Sequence, residues 1–92
     1  MREKTIETKL RERVQSLGGL CEKWNAGTSG WPDRIILLPD GKIGFAELKA
    51  PGKKPRKLQL HRHEQIRQLG FPVFIIDEAE QIGGVIDAIQ TS

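Results

Sequence analysis

Between Arg34 and Lys49 the chain carries two short strand-like segments joined by Pro39-Asp40-Gly41, and that turn decides which of their side chains can meet. Ile35-Ile36-Leu37-Leu38 is a run of four apolar residues, which suits a strand buried on both faces. Gly44 to Lys49 is its hairpin partner. Side chains alternate along a strand, so Glu47 and Lys49 share one face, roughly 6 to 7 Å apart at the backbone, while Leu48 points the other way into a core. If Asp40-Gly41 alone formed a two-residue loop, Pro39 would pair with Lys42 and Asp33 would point away from Glu47. If Pro39, Asp40 and Gly41 together form a type I turn with a glycine bulge, Leu38 pairs with Lys42 and Asp33 stands opposite Glu47. Proline suits the first central position of that turn, aspartate the second and glycine the left-handed third. Local chemistry therefore favours the register that brings the two carboxylates together.

The flanking segments read as helices and strands of a small mixed sheet. From Thr5 to Leu17 the apolar residues Ile6, Leu10, Val14 and Leu17 recur at helical spacing, and Gly18-Gly19 supplies the stop. Leu20 to Trp24 is a short strand, and Asn25 to Pro32 a loop rich in Gly, Ser, Asn and Pro. Ala50 to Pro55 breaks regular structure. A second helix runs from about Lys57 to Leu69 and ends at Gly70, followed by a strand over Phe71 to Ile76. Glu78 to Ile89 places Ala79, Ile82, Ile86 and Ile89 on one helical face, although Gly83-Gly84 weakens that helix by roughly 1 kcal/mol per glycine. The order α-β-β-β-α-β-α describes an α/β fold, a small mixed β-sheet flanked by helices. Its 92 residues make one domain, 1–92, with no room for a second.

Composition narrows the setting. No hydrophobic run exceeds four residues, against the roughly 20 that a membrane-spanning helix needs. The start lacks the apolar stretch of a secretory signal, and the single cysteine, Cys21, has no partner for an internal disulfide, so a reducing cytoplasm is the expected location. Fifteen Lys and Arg stand against twelve Asp and Glu, a net charge of only +3. Between Lys49 and Arg67, however, seven basic residues accompany one acid, Glu64, and the remainder of the chain is net acidic. That stretch can follow a phosphate backbone, although a solvated loop and helix face would look the same. His61 and His63 within it read as ordinary surface residues.

Asp33 and Glu47 on adjacent strands offer hard oxygen donors, which suit Mg²⁺ or Mn²⁺ with water and a substrate phosphate completing the shell. Zinc is disfavoured, because Cys21 is alone and His61 and His63 lie two apart on a helix, where they do not face each other. Lys49 beside such a cation can orient the attacking water or neutralise charge on the transition state. A Glu47–Lys49 ion pair, with Asp33 as a turn residue after proline, fits the same residue types. On helix one, Glu7 lies roughly 60° to the side of the apolar face centred on Leu10, so it can skirt the core and reach the sheet; Glu3 at a similar edge competes with it. Gln59 sits at the opening of helix two, where helix amides and a side-chain amide can both approach a phosphate.

Gly27 to Asp33, read as G-x-x-G-W-P-D, Phe45 to Pro51, read as F-A-E-L-K-A-P, then Gln59 and Gly70 eleven residues on, together resemble the VRR-NUC nuclease domain of the PD-(D/E)xK superfamily. The likeness runs from helix one to Ile76 and is strongest to stand-alone phage versions. It implies a restriction-endonuclease-like core, divalent-metal-dependent cleavage of phosphodiester bonds, and a preference for branched DNA such as four-way Holliday junctions. By the same matching, Asp33, Glu47 and the Leu48 carbonyl look like metal ligands, Glu7 like the helix-one glutamate that joins them, Lys49 like the catalytic lysine and Gln59 like the helical glutamine beside the site. Lys53, Lys54, Arg56, Lys57 and Arg62 would grip the duplex, and a homodimer would set two sites on opposing strands. Three residues after the glutamine the family often has an aromatic where this chain has Arg62, which bears on the dimer contact. Trp24 and Trp31 suit packing, and Trp31 beside Pro32-Asp33 can also buttress the site or touch DNA. The alternatives are a non-catalytic DNA-binding module working through the basic 49–67 segment, and a protein-interaction subunit using helix three.

Overall fold

The computed structural model describes residues 2–92. Its elements are α1 (Glu3–Ser16), β1 (Leu20–Lys23), β2 (Arg34–Leu38), β3 (Lys42–Leu48), α2 (Lys57–Gln68), β4 (Val73–Ile76), a short 3₁₀ turn (Ala79–Gln81) and α3 (Ile82–Gln90), in the order expected from the sequence. The strands lie in the order β1-β2-β3-β4. The first three are antiparallel neighbours, and β4 joins β3 in parallel after the α2 crossover.

The strand alternation gives the sheet two different faces. Cys21, Ile36, Leu38, Ala46, Leu48 and Ile76 point to one side, where α1 supplies Ile6, Leu10 and Val14 and α3 supplies Ile82, Val85, Ile86 and Ile89. On the other side Phe45 and Val73 pack with Ile66 of α2, joined by Trp31, Ile35 and Ile43. Edge-to-face contacts of Phe45 with Trp24, Trp31 and Phe71, at centroid distances of 6.0, 6.4 and 6.4 Å, build out this second layer. Its apolar content is smaller, which leaves room on the α2 face for buried polar groups.

Three local features differ from the sequence reading. Burial of β2 is not two-sided along its whole length: Leu37 is 36% exposed and pairs with Leu20, 58% exposed, because α2 reaches β4 and β3 but not this end of the sheet. The last helical segment opens as a 3₁₀ turn, since Gln81 Oε1 accepts the Asp77 and Glu78 amides at 2.9 and 3.1 Å and caps the entry. The strand expected from Phe71 begins only at Val73. No helix among the described residues is long and apolar enough to cross a membrane.

Two glycine positions make opposite predictions. Gly18 (φ 84°) ends α1, with the Gly19 amide bonded to the Val14 carbonyl at 3.0 Å, and a Cβ on Gly19 would overlap the Leu37 carbonyl oxygen. Gly83 lies in α3 with open space around it. In urea melts, Gly19→Ala is expected to lose about 2 to 3 kcal/mol through backbone displacement, and Gly83→Ala to gain about 1 kcal/mol from helix propensity.

Candidate active site

The hairpin register is Leu38 with Lys42, Leu37 with Ile43, Ile36 with Gly44, Ile35 with Phe45 and Arg34 with Ala46. One step further, Asp33 stands opposite Glu47. The turn that sets this register is not type I. Asp40 has φ 68° and Gly41 φ 71°, so both residues are left-handed, a conformation that aspartate tolerates better than most side chains. The three-residue span is retained, and the span rather than the turn type aligns the strands.

Asp33, Glu47 and Lys49 therefore lie on the α2 face, in line with Ile35 and Phe45. Asp33 Oδ1 accepts the Leu48 amide at 3.2 Å, which fixes its carboxylate against the end of β3. In an extended strand the N–H and C=O of one residue leave on the same edge, so the Leu48 carbonyl is turned towards Asp33 as well. Glu47 is buried, at 4% exposure, with Oε2 3.6 Å from Lys49 Nζ. Burial and then the Glu47 carboxylate push the Asp33 carboxyl up to about 6, against smaller opposing effects from the Leu48 amide and Arg34. Two carboxylates this close, with one held reluctant to ionise, fit a divalent cation: its charge would relieve the repulsion, and hard oxygen donors are what Mg²⁺ accepts.

Glu7 is placed differently. It pairs with the Arg34 guanidinium on the α1 face, where Arg34 alternates with Ile36 and Leu38. Arg34 is itself buried; its Nη1 donates to the Asp33 backbone carbonyl at 2.9 Å and lies 3.5 Å from Asp33 Oδ1. Among the described residues no three His, Cys, Asp or Glu side chains gather around one point. The carboxylate pair is thus Asp33 and Glu47, and Glu7 is linked to it through Arg34. Glu3 is exposed, and its charge is the weakest of the named influences on Asp33.

Helix α2 covers the site with Gln59, His63 and Ile66, which recur at helical spacing and are all buried. Gln59 is not an exposed polar residue: its Oε1 accepts the Arg56 amide at 2.8 Å and caps the helix. His63 is not a surface residue either. It is fully buried, with Nε2 3.8 Å from Glu47 Oε1. The i, i+4 spacing puts His63 on the same helical face as Gln59, but the burial of that face depends on where α2 docks, and nothing in the sequence marked Arg34 as the partner of Glu7.

The basic stretch divides by role. Lys53, Lys54, Arg56 and Lys57 are exposed around a turn closed by the Lys53 amide on the Ala50 carbonyl at 3.0 Å. The first turn of α2 contains no acid. Cations at a helix N-terminus are locally unfavourable, so this end is suited to receiving anions. Arg62 is half-buried with its guanidinium 5.6 Å from the centroid of the Trp31 ring, so it packs the glycine loop on α2. Arg67 is also engaged, donating to the Val73 carbonyl at 2.8 Å.

No family model matches the chain. The chain is 39% identical over 90 residues to the protein named "Putative nuclease p44" of Acyrthosiphon pisum secondary endosymbiont phage 1, covering 97% of this chain and 96% of that one. A solved structure described as a VRR_NUC domain superposes with a TM-score of 0.83 at 37% identity, covering 92% of this chain and 94% of its own.

Proposed function

The chain belongs to the VRR-NUC family of nucleases, and from that premise we propose that residues 1–92 form one domain acting as a divalent-cation-dependent endodeoxyribonuclease on branched DNA such as Holliday junctions. The observation that carries this reading is the placement of Asp33, Glu47 and Lys49 on one face of the sheet end, with the two carboxylates opposed across the hairpin. Asp33, Glu47 and the Leu48 carbonyl would hold Mg²⁺, with Mn²⁺ able to substitute, and Glu7 would contribute after release from Arg34. The cation supplies Lewis-acid stabilisation of the phosphate charge. Lys49, tethered by Glu47, presents its ammonium to the attacking water and to the developing negative charge. The water oxygen would bond to phosphorus in line as the water gives up one proton to solvent, the bond to the leaving sugar oxygen would break, and that oxygen would take up a proton from solvent. Gln59 holds the start of α2 beside the substrate backbone.

The exposed Lys53, Lys54, Arg56 and Lys57 would grip the duplex, and Arg62 would contribute mainly by stacking on Trp31. Each lysine in contact with a phosphate adds about 0.9 to the slope of log affinity against log salt. The Lys53→Ala, Lys54→Ala double variant should therefore bind more weakly in filter or anisotropy assays with a slope reduced by about 2, while unimolecular cleavage of bound DNA is retained. A homodimer is favoured by the small size of the chain relative to a junction and by the exposed Leu20–Leu37 pair. The setting would be the host-cell cytoplasm, as befits a relative of a phage protein.

The test is cleavage of a synthetic four-way junction and the matching linear duplex in Mg²⁺ or EDTA. Faster cutting of the junction, abolished by EDTA, is the expected result. Salt-sensitive binding without cleavage in Mg²⁺ or Mn²⁺ would instead indicate a DNA-binding module.

A further inference from the structure

His63 is fully buried, and neither ring nitrogen has a hydrogen-bond partner. The same is true of Glu47 Oε1, which lies 3.8 Å from His63 Nε2. An unpartnered polar atom in a protein interior is costly, and two such atoms facing each other, one able to donate and the other to accept, need only a shift of under about 1 Å to satisfy one another. The other Glu47 oxygen, Oε2, faces Lys49 at 3.6 Å. Helix α2 fixes His63 within the row Gln59, His63, Ile66, and Gln59 is itself held by its bond to the Arg56 amide. The imidazole thus sits on a braced element, while Glu47 comes from the sheet.

We propose that His63 is a positioning residue: its Nε2–H donates to Glu47 Oε1 in the working site, fixing the carboxylate so that Oε2 is presented to the cation and to Lys49. This rests on the reading of Glu47 as a cation ligand. Without His63, Glu47 would still be present but free to rotate away from the cation. The effect therefore falls on cation affinity, where loss of a partner to a ligating side chain typically costs about 10- to 100-fold.

The test compares wild type, His63→Leu and His63→Gln by Mn²⁺ titration calorimetry without DNA, by thermal melting, and by junction cleavage as a function of Mg²⁺ concentration. Leucine fills the space without a donor, and glutamine can place an amide N–H near the Nε2 position. Thermal melting checks that His63→Leu and His63→Gln are folded at the temperature of the titrations. His63→Leu should bind Mn²⁺ about 10- to 100-fold more weakly and need correspondingly more Mg²⁺ for half-maximal cleavage, with glutamine recovering affinity to within about 3-fold. Wild-type Mn²⁺ affinity in a folded His63→Leu protein, or equal weakness of both variants, overturns the inference. ¹⁵N histidine spectra of the Mg²⁺-saturated wild type decide it without substitution: a proton on His63 Nε2 is expected, and a bare Nε2 overturns it. If the wild type neither binds Mn²⁺ nor cleaves DNA, the nuclease reading of the site fails first and the role of His63 with it.

Discussion

Replacing Glu47 by alanine should lower junction cleavage by at least about a thousandfold while leaving DNA affinity within a few-fold of wild type. The size of the effect follows from what the side chain serves at once. Glu47 is buried, contributes one of two opposed carboxylates, and holds Lys49 through Oε2 at 3.6 Å. Its removal deletes a cation ligand and frees the ammonium that meets the transition-state charge, and losses of groups acting as a unit are large and non-additive. The exposed cations at Lys53, Lys54, Arg56 and Lys57 lie outside this unit, so binding survives. Single-turnover cleavage alongside anisotropy titration checks both halves. Alanine also leaves His63 facing a cavity, so Glu47→Gln serves as the better-folded companion and should lose activity to a similar extent.

The second large effect combines lost activity with gained stability. Asp33→Asn should reduce cleavage by about a thousandfold and raise the melting temperature of the metal-free protein at pH 7 to 8. The Asp33 carboxyl is pushed from 3.8 up to about 6, first by burial and then by Glu47. Between those values the folded chain keeps a proton that the unfolded chain has already released. Stability therefore falls as pH rises from about 4 to about 6 and stays at the lower level above. The cost at neutral pH is about 1 to 2 kcal/mol after allowing for solvent around a side chain that is 34% exposed. Asparagine removes the charge and keeps an oxygen to accept the Leu48 amide. Its advantage of about 5 to 10 °C at pH 7.5 should vanish near pH 4. Mg²⁺ should raise the melting temperature of wild type and not of the variant.

The sequence revealed the sheet end more fully than the helices that cover it. The three-residue span expected at Pro39-Asp40-Gly41 does place Asp33 opposite Glu47, because strand register follows loop length, but the type I geometry that argued for that span is not the one formed, since both Asp40 and Gly41 are left-handed. Strand alternation then put Glu47 and Lys49 together and sent Leu48 into the α1 and α3 layer. Side chains that depend on a neighbour from another element were not legible. His63 is a polar residue in a highly charged helix, and its burial depends on where α2 settles over β3 and β4. Glu7 was placed at the correct edge of its helix, yet its partner, Arg34, lies on the opposite side of β2 from Asp33 and could be recognised only once α1 was docked. Leu37 looked buried because an apolar run does not record that the α2 layer leaves the Leu20–Leu37 end of the sheet uncovered.

The most direct measurement is single-turnover cleavage of a synthetic four-way junction by wild type and Lys49→Ala, each in Mg²⁺ and in EDTA, with junction affinity measured in parallel. Wild type should cut only with the cation, and Lys49→Ala should bind normally but cut at least about a hundredfold more slowly. Undiminished cutting by Lys49→Ala, or cutting by wild type in EDTA, would place the chemistry somewhere other than the Asp33, Glu47 and Lys49 face.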